Sequence, residues 1–520
     1  MRKTDLSIMR RVAGPVGLAG PALRAGRARY AGPLPALMYA AFSVFALAVA
    51  LVSTEPVHRL WGGAAAAGYG CAALASLAPT RLMPDRGRQD IALAMAASGA
   101  LAVPLCWLAV TGRGMPEVGV VARSARLLVA HGRPYQSAAQ LGADVYGYNP
   151  YLPGMTLFGL PRALFGGGLV TDPRIWDGMA FAAAFAAALR TAGAGAIPAL
   201  RRTAALAGTP LIAFPLAVSG NDLPVIGLIC LGLALAARPD PRRPAGPAVP
   251  AGPRVRLDRV IVTSPAWTGA VLGAACAMKA TAWPALLLVG LLLRVRDGRG
   301  AAARFTAAAA VVLAVVVGPF LLVQPADLAV NTIAFPLGLT AARSSAASPL
   351  PGHLLAATGQ AGHLAVIALL AAAVAAAGVL LAARPPRTAA GAGGYLALAL
   401  TALFTLAPAT RWGYFVYPGV IGCFLWLAGL SRPGPRKSAG TGPWDPEVQT
   451  AVGEPSASRR DAVMRSASGG PHVAGRVTFR FGVPEDLGNA DRGQRHAREH
   501  VRPDPGPVDR QHVPRPLDGP

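Results

Sequence analysis

The sequence predicts an all-α, polytopic membrane protein, and three observations predict it. Apolar runs of the ~20 residues that a spanning helix needs recur from Leu34 to Leu430. Charged residues make up only 14% of the 520-residue chain against 53% hydrophobic ones, and the mean hydropathy is +0.44, too apolar for an ordinary soluble domain. The arginines cluster in short loops between the runs, as the loops on the cytoplasmic side of a membrane do. The first run begins far from Met1 with no small-residue cleavage pattern, so a cleaved secretory signal is not expected.

Each element follows from those arginines. The basic segment 1–33, with Arg2, Lys3, Arg10 and Arg11, is expected in the cytoplasm. Spans near 34–54, 60–79 and 91–111 then leave residues 112–150 outside. Residues 151–190 hold two apolar pieces but only one net crossing before Arg190, Arg201 and Arg202, so one piece is expected to be re-entrant or interfacial. A span at 203–219 emerges at Ser219-Gly220-Asn221-Asp222, and 223–237 returns to an arginine-rich loop. The run 265–293 has basic residues on both sides, which predicts a hairpin of two short helices with Lys279 near its tip. A span at 304–323 leads to an external loop, 324–361, and 362–383 returns. Spans at 392–409 and 413–430 expose Thr410, Arg411 and Trp412 outside. The domain 34–430 thus carries about 12–13 membrane helices, short and re-entrant ones included, with both termini cytoplasmic. Residues 431–520, with 14 basic and 11 acidic residues and no sustained periodicity, are expected to form a disordered cytoplasmic tail.

The formal charge of +25 is accounted for by this topology and does not point to nucleic acid. The five cysteines all fall in apolar runs without metal-ligand spacing, and read as small core or lipid-phase residues. The threading gathers Glu117, Asp144, Asn221, Asp222, Lys279, Arg343, His353, His363 and Arg411 on the external side. Lysine occurs only at Lys3, Lys279 and Lys437, so Lys279, inside an apolar run, is a functional candidate by default, the alternative being a side chain that snorkels to the interface.

In the external segment, Pro116 suits a first helical turn, and Glu117 beside it is favoured by the helix dipole. On that helix Val118, Val121, Ala125 and Leu128 share the face of Glu117, while Arg123 and Arg126 take the opposite one. This is the pattern of a helix lying along the membrane interface. Its carboxylate either faces the embedded body as a base or caps its own first turn. Asn221 and Asp222 either belong to a site or cap the helix that follows. Tyr146 and Tyr151 read as interface anchors.

These features together resemble the C superfamily of membrane glycosyltransferases (GT-C), which use polyprenyl-phosphate sugars, especially glycosyltransferase family 87 and related mannosyltransferases. The resemblance runs over residues 112–430. It lies in Glu117 opening "VGVVARSARLL", the Gly-x-Pro-Tyr turn at Gly132–Tyr135, the "YGYNPYLPG" stretch, the Gly220-Asn221-Asp222 turn, Lys279-Ala280-Thr281 in its hairpin, and "FPLGLTAARSSAASPLPGH". The chain departs from the family in having glutamate where aspartate is usual, two extra helices before the first external loop, and "YNPYLP" for a Tyr-Pro-Pro approach.

The resemblance implies an inverting transfer of a sugar, mannose being the expectation, from a polyprenyl-phosphate donor to a lipid or glycan acceptor on the extracytoplasmic face. No cofactor is expected and no metal-ligating residues are identified, while the sequence leaves open whether a metal assists. Such a reaction needs a base for the acceptor hydroxyl and positive charge for the departing phosphate. Glu117 is the candidate base and Asp222 the alternative. Lys279, Arg343, Arg411 and His353 are candidates for the phosphate, although headgroup contacts would equally account for Arg343 and Arg411. Tyr135, Tyr148 and Asn221 are expected to line the substrate. The rival functions are transport or flipping of a lipid-linked or small solute, and a non-catalytic membrane role.

Overall fold

The computed structural model describes residues 33–79, 84–237, 264–342 and 346–430. The basic N-terminal segment, the arginine-rich loop at 238–263, Arg343 and the tail 431–520 lie outside the described residues. Among the described residues the chain is helical, and its one β feature is a bridge between Ala347 and Thr410.

Six helical spans are long and apolar enough to cross a membrane: Leu34–Val52, Pro56–Leu77, Asp85–Val110, Arg299–Val316, Gln360–Ala383 and Ala389–Leu406. Large apolar side chains such as Leu51, Val52, Val374 and Val379 are turned outward on them, an arrangement that suits lipid and not water. The protein is therefore a membrane protein, and its remaining apolar helices are shorter and packed among these.

The first layer is α1 (Pro33–Val52), α2 (Pro56–Leu77), and α3 (Asp85–Ala97), which continues through a π turn at Ser98–Ala102 into α4 (Val103–Val110). Small residues bring the backbones of α2 and the π turn together, and Trp61 and Tyr69 are fully buried behind them. Trp61 donates to the Ala100 carbonyl at 2.7 Å and Tyr69 to the Gly208 carbonyl at 2.8 Å, so neither buried ring leaves a polar group unpaired.

Proline opens α5 (Pro116–His131), α7 (Pro173–Thr191) and α9 (Pro210–Val218), where its missing N–H costs nothing. Gly132, at φ 67°, ends α5 in the left-handed conformation. Between α5 and α7 the chain makes a 3₁₀ stretch at Pro153–Gly159 and the six-residue α6 (Leu160–Phe165), too short to cross. The ends of this excursion stay together: the Leu152 N–H donates to Met278 and the Arg174 side chain reaches Ala217, both at the end of the bundle that carries Met115 and Val218. Of the two apolar pieces at 151–190, this is the one too short to span, where a re-entrant or interfacial piece is expected.

The expected span at 203–219 is two helices, α8 (Ala196–Ala207) and α9, broken at Gly208-Thr209. It is followed by α10 (Leu223–Ala236) and the hairpin of α11 (Pro265–Met278) and α12 (Trp283–Arg296), then α13 (Arg299–Val316). Gly269 and Gly273 of α11 sit on Phe305 and Ala309 of α13 so closely that a Cβ at Gly269 would lie 2.1 Å from the Phe305 carbonyl oxygen. The matching order of these contacts makes α11 and α13 parallel, so α12 between them runs back. The far end of α12 is tied to the end of α10 by Arg296, which donates to the Ala236 carbonyl at 2.7 Å. The loop at 324–342 contains short helical turns at Pro325–Ala329 and Val330–Ala334. Then α14 (Gln360–Ala383), α15 (Ala389–Leu406) and α16 (Val416–Leu427) complete the bundle.

The main core joins α5, α7, α10, α11, α12, α15 and α16 through Val121, Phe181, Phe185, Ile226, Leu272, Leu292, Leu400 and Phe424. Cys230 and Cys276 are buried, while Cys71 and Cys106 face outward.

Candidate active site

One end of the bundle collects the turns that carry Glu117, Asp222, Lys279 and Arg411. Gly220, at φ 82°, makes the sharp turn from α9 into α10, and a Cβ there would meet the Asp177 carboxylate at 2.8 Å. The next residue, Asn221, donates from Nδ2 to the Glu117 carbonyl at 3.2 Å and so ties this turn to the start of α5. Asp222 follows at the N-terminus of α10 but makes no capping hydrogen bond. Lys279 stands at the hairpin tip, where α11 ends and a single 3₁₀ turn, Ala280–Ala282, leads into α12. Arg411 lies between α15 and α16, on a segment held by Thr410, whose N–H donates to Ala346 at 2.9 Å and whose carbonyl accepts from Ser348 at 3.0 Å.

Two ion pairs result, one beside the other. Arg411 Nη1 pairs with Glu117 Oε1, and Lys279 Nζ pairs with Asp222 Oδ1. The Lys279 ammonium also lies over two tyrosine rings, 5.3 Å from the centre of Tyr151 and 5.2 Å from that of Tyr414. The faces of aromatic rings attract cations, so carboxylate and rings together fix the amine at one point. Asp222 Oδ1 further accepts from the Tyr417 hydroxyl at 2.8 Å, which in turn accepts from Thr281 Oγ1 at 2.8 Å. Burial works against the charge of Arg411, but Glu117, Tyr414 and Tyr151 outweigh it and raise its pKa, so the guanidinium stays charged.

A cavity of about 290 Å³ opens over this cluster. Glu117, Lys279, Thr281, Arg411 and Tyr414 supply its polar wall; Val120, Phe335, Pro336, Leu403 and Phe404 supply an apolar one. Oε2 of Glu117 is buried without a hydrogen-bond partner, a costly state for a carboxylate oxygen unless something is brought to it.

The sequence-predicted residues divide clearly. Glu117, Asp222, Lys279 and Arg411 are brought together, and Glu117 reaches Arg411 instead of capping its own helix. Tyr148 lines the cavity, stacked on Phe335 with centroids 4.5 Å apart. Asn221 is buried beneath Glu117 and away from the wall. Tyr135 is not a lining residue: its hydroxyl donates to the Tyr151 carbonyl at 2.8 Å, and burial pushes its phenol pKa up. His353 is also turned away, its Nδ1 lying 2.9 Å from the Pro408 carbonyl oxygen. His363 lies at the start of α14, and Asp144 caps a 3₁₀ turn by accepting from the Tyr146 N–H at 3.0 Å.

Sequence reasoning missed Tyr151, Tyr414, Tyr417 and Thr281 as site members. The available signals were the Tyr414-x-x-Tyr417 spacing just after Arg411, which places both rings on one helical face, and Thr281 two residues past Lys279. It also missed the buried pair behind the site. Arg174 is 1% exposed and Asp172 0%, and the guanidinium grips the carboxylate through Nε at 2.8 Å and Nη2 at 2.9 Å while Nη1 donates to the Ala217 carbonyl at 2.8 Å. The bidentate pair fixes the guanidinium, and its Nη1 bond to Ala217 pins the start of α7 to the end of α9, just before the Gly220 turn.

No family model and no curated protein matches the chain. Among solved structures it is similar to ArnT from Cupriavidus metallidurans. Against the crystal structure bound to undecaprenyl phosphate the identity is 19% and the TM-score 0.40, over 67% of this chain and 61% of that one. Against the apo structure the identity is 20% and the TM-score 0.41, over 68% of this chain and 61% of that one. The chain thus spans 61% of the length of either structure that it matches.

Proposed function

We propose that the protein is an inverting glycosyltransferase of the GT-C kind. In this reading it moves a sugar, mannose first, from a polyprenyl phosphate to a lipid or glycan acceptor at the extracytoplasmic face of the cell membrane. The observation that carries the reading is the single cavity walled by one carboxylate, two cations and an apolar side. An unpartnered carboxylate oxygen suits a base, the cations suit a phosphate, and the apolar wall suits the first prenyl units. The acceptor hydroxyl gives its proton to Glu117 as its oxygen attacks the anomeric carbon. The bond from that carbon to the phosphate oxygen breaks, and the polyprenyl phosphate leaves with the electron pair. Lys279 and Arg411 balance the charge that develops on it.

Both cations are paired with carboxylates, so a donor phosphate competes with those carboxylates for them. A phosphate drawing on Arg411 loosens its hold on Glu117, which makes the base available when the donor is in place. Asp222, engaged by Lys279 and Tyr417, serves in this reading as the counter-ion of Lys279. The charged groups gather at one end of the bundle and not halfway along it, which favours group transfer over transport.

The test is transfer in membranes that carry the protein, supplied with radiolabelled polyprenyl-phosphate mannose and a glycolipid acceptor. Labelled product is expected from the wild type and not from Glu117→Gln. Equal product from both removes Glu117 as the base, and no product with any polyprenyl-phosphate sugar removes the transferase reading.

A further inference from the structure

We infer that Tyr417 and Thr281 are positioning residues that set the place of Lys279 through Asp222. The inference rests on the proposed sugar transfer, in which Lys279 faces the donor phosphate. Lysine carries its charge on a flexible four-carbon stem, so a defined ammonium position needs a fixed counter-ion. The Asp222 side chain does not obtain that fixity from its own helix: its carbonyl accepts from the Ile226 N–H, but its carboxylate makes no capping hydrogen bond. The side chains that hold it are Lys279 and Tyr417, both on Oδ1.

Tyr417 is suited to this task. It is fully buried on α16, with its ring 5.9 Å from that of Phe404, so it cannot swing. Its hydroxyl accepts from Thr281 and must therefore point its own proton at Asp222. Thr281 sits on the 3₁₀ turn two residues beyond Lys279, so the chain closes on itself: hairpin tip to α16, α16 to the α10 turn, and that turn back to the hairpin tip. When the phosphate takes part of the Lys279 charge, the Tyr417 proton still holds Asp222 in place. Lys279 then stays between Tyr151 and Tyr414 and does not follow the ligand out.

The test uses the full chain in detergent or nanodiscs, titrated with a long-chain polyprenyl phosphate, alongside donor and acceptor KM. Tyr417→Phe keeps the ring and is expected to weaken polyprenyl-phosphate binding roughly 3- to 10-fold, the effect of one hydrogen bond, with acceptor KM unchanged. Thr281→Val is expected to act in the same direction and less, and Thr281→Ser to restore wild-type binding. On a Lys279→Met background, Tyr417→Phe is expected to add nothing, because the group it positions is gone.

Unchanged binding in Tyr417→Phe overturns the inference. So does an equal further loss on the Lys279→Met background, or a loss shared by acceptor KM, either of which marks a general packing role. Wild-type protein that does not bind polyprenyl phosphate overturns the transfer reading and this inference with it. Wild-type binding that Tyr417→Phe leaves untouched overturns this inference alone.

Discussion

Replacing Glu117 with glutamine separates the base from the binding site. Glutamine has almost the same shape, its carbonyl can still accept from Arg411, and the N-terminal turn of α5 keeps its proline. What disappears is the negative charge and the capacity to take a proton. Loss of a positioned base costs about 10²- to 10⁴-fold in rate, so kcat is expected to fall at least 100-fold. Donor binding is expected to change the other way. Removing one negative charge ~6 Å from the phosphate, at an effective dielectric between about 20 and 80, is worth roughly 0.7–3 kcal/mol, or about 3- to 100-fold tighter binding. The expected signature is a protein that binds polyprenyl phosphate more tightly than wild type and transfers almost nothing. The assay pairs a radiolabelled transfer measurement with a polyprenyl-phosphate titration on one preparation. Transfer within tenfold of wild type, or weaker phosphate binding, would refute the reasoning.

Further expectations concern the cations and the frame. Lys279→Met is expected to raise donor KM at least tenfold while leaving acceptor KM unchanged, read from initial rates at varied donor. Tyr414→Ala removes one of the two ring contacts to Lys279 and is expected to weaken donor binding by about 0.5–2 kcal/mol, with Tyr414→Phe close to wild type, checked by the same titration. Arg174→Met leaves the buried Asp172 carboxylate with Arg162, at 3.5 Å, as its cation and is expected to cost about 3–5 kcal/mol of stability, seen as a lowered unfolding midpoint in detergent. Gly269→Val has no room against the Phe305 carbonyl and is expected to lower the yield of folded protein sharply, whereas Gly63→Ala, with nothing within 4 Å of its Cβ, is expected to be neutral by the same measure.

Much of the architecture was legible because membrane helices announce themselves twice, once by apolar length and again by the arginines between them. The Lys279 hairpin is an example: two helices too short to span separately were separated at the right place by a single charge and by basic flanks. The same threading brought Glu117, Asp222, Lys279 and Arg411 to one end without any pairwise signal. How the four are paired was not legible, since which acid meets which base depends on side-chain reach and on the Gly220 turn. Tyr151, Tyr414 and Tyr417 escaped notice for a related reason. A tyrosine at the end of a membrane helix is ordinarily an anchor, and only the fold shows rings turned onto an ammonium or a carboxylate. Tyr135 misled in the opposite sense, because its place beside Gly132 and Pro134 suggested a loop-borne ligand contact where the structure has a buried hydroxyl bracing the Tyr151 carbonyl. The break at Gly208-Thr209 is marked in the sequence by Thr209-Pro210, which can open a helix, but a hydropathy average over 203–219 passes across it.

The most direct measurement places the purified protein in liposomes with radiolabelled polyprenyl-phosphate sugars, mannose first, and a bacterial lipid extract as acceptor. The label is then followed both between molecules and across the bilayer. Sugar transfer at the Glu117 cavity predicts that label passes to a new lipid or glycan, that Glu117→Gln loses that transfer, and that Lys279→Met needs about tenfold more donor or above for it. Sugar-lipid that crosses the bilayer intact, with no labelled product from the wild type, would contradict it.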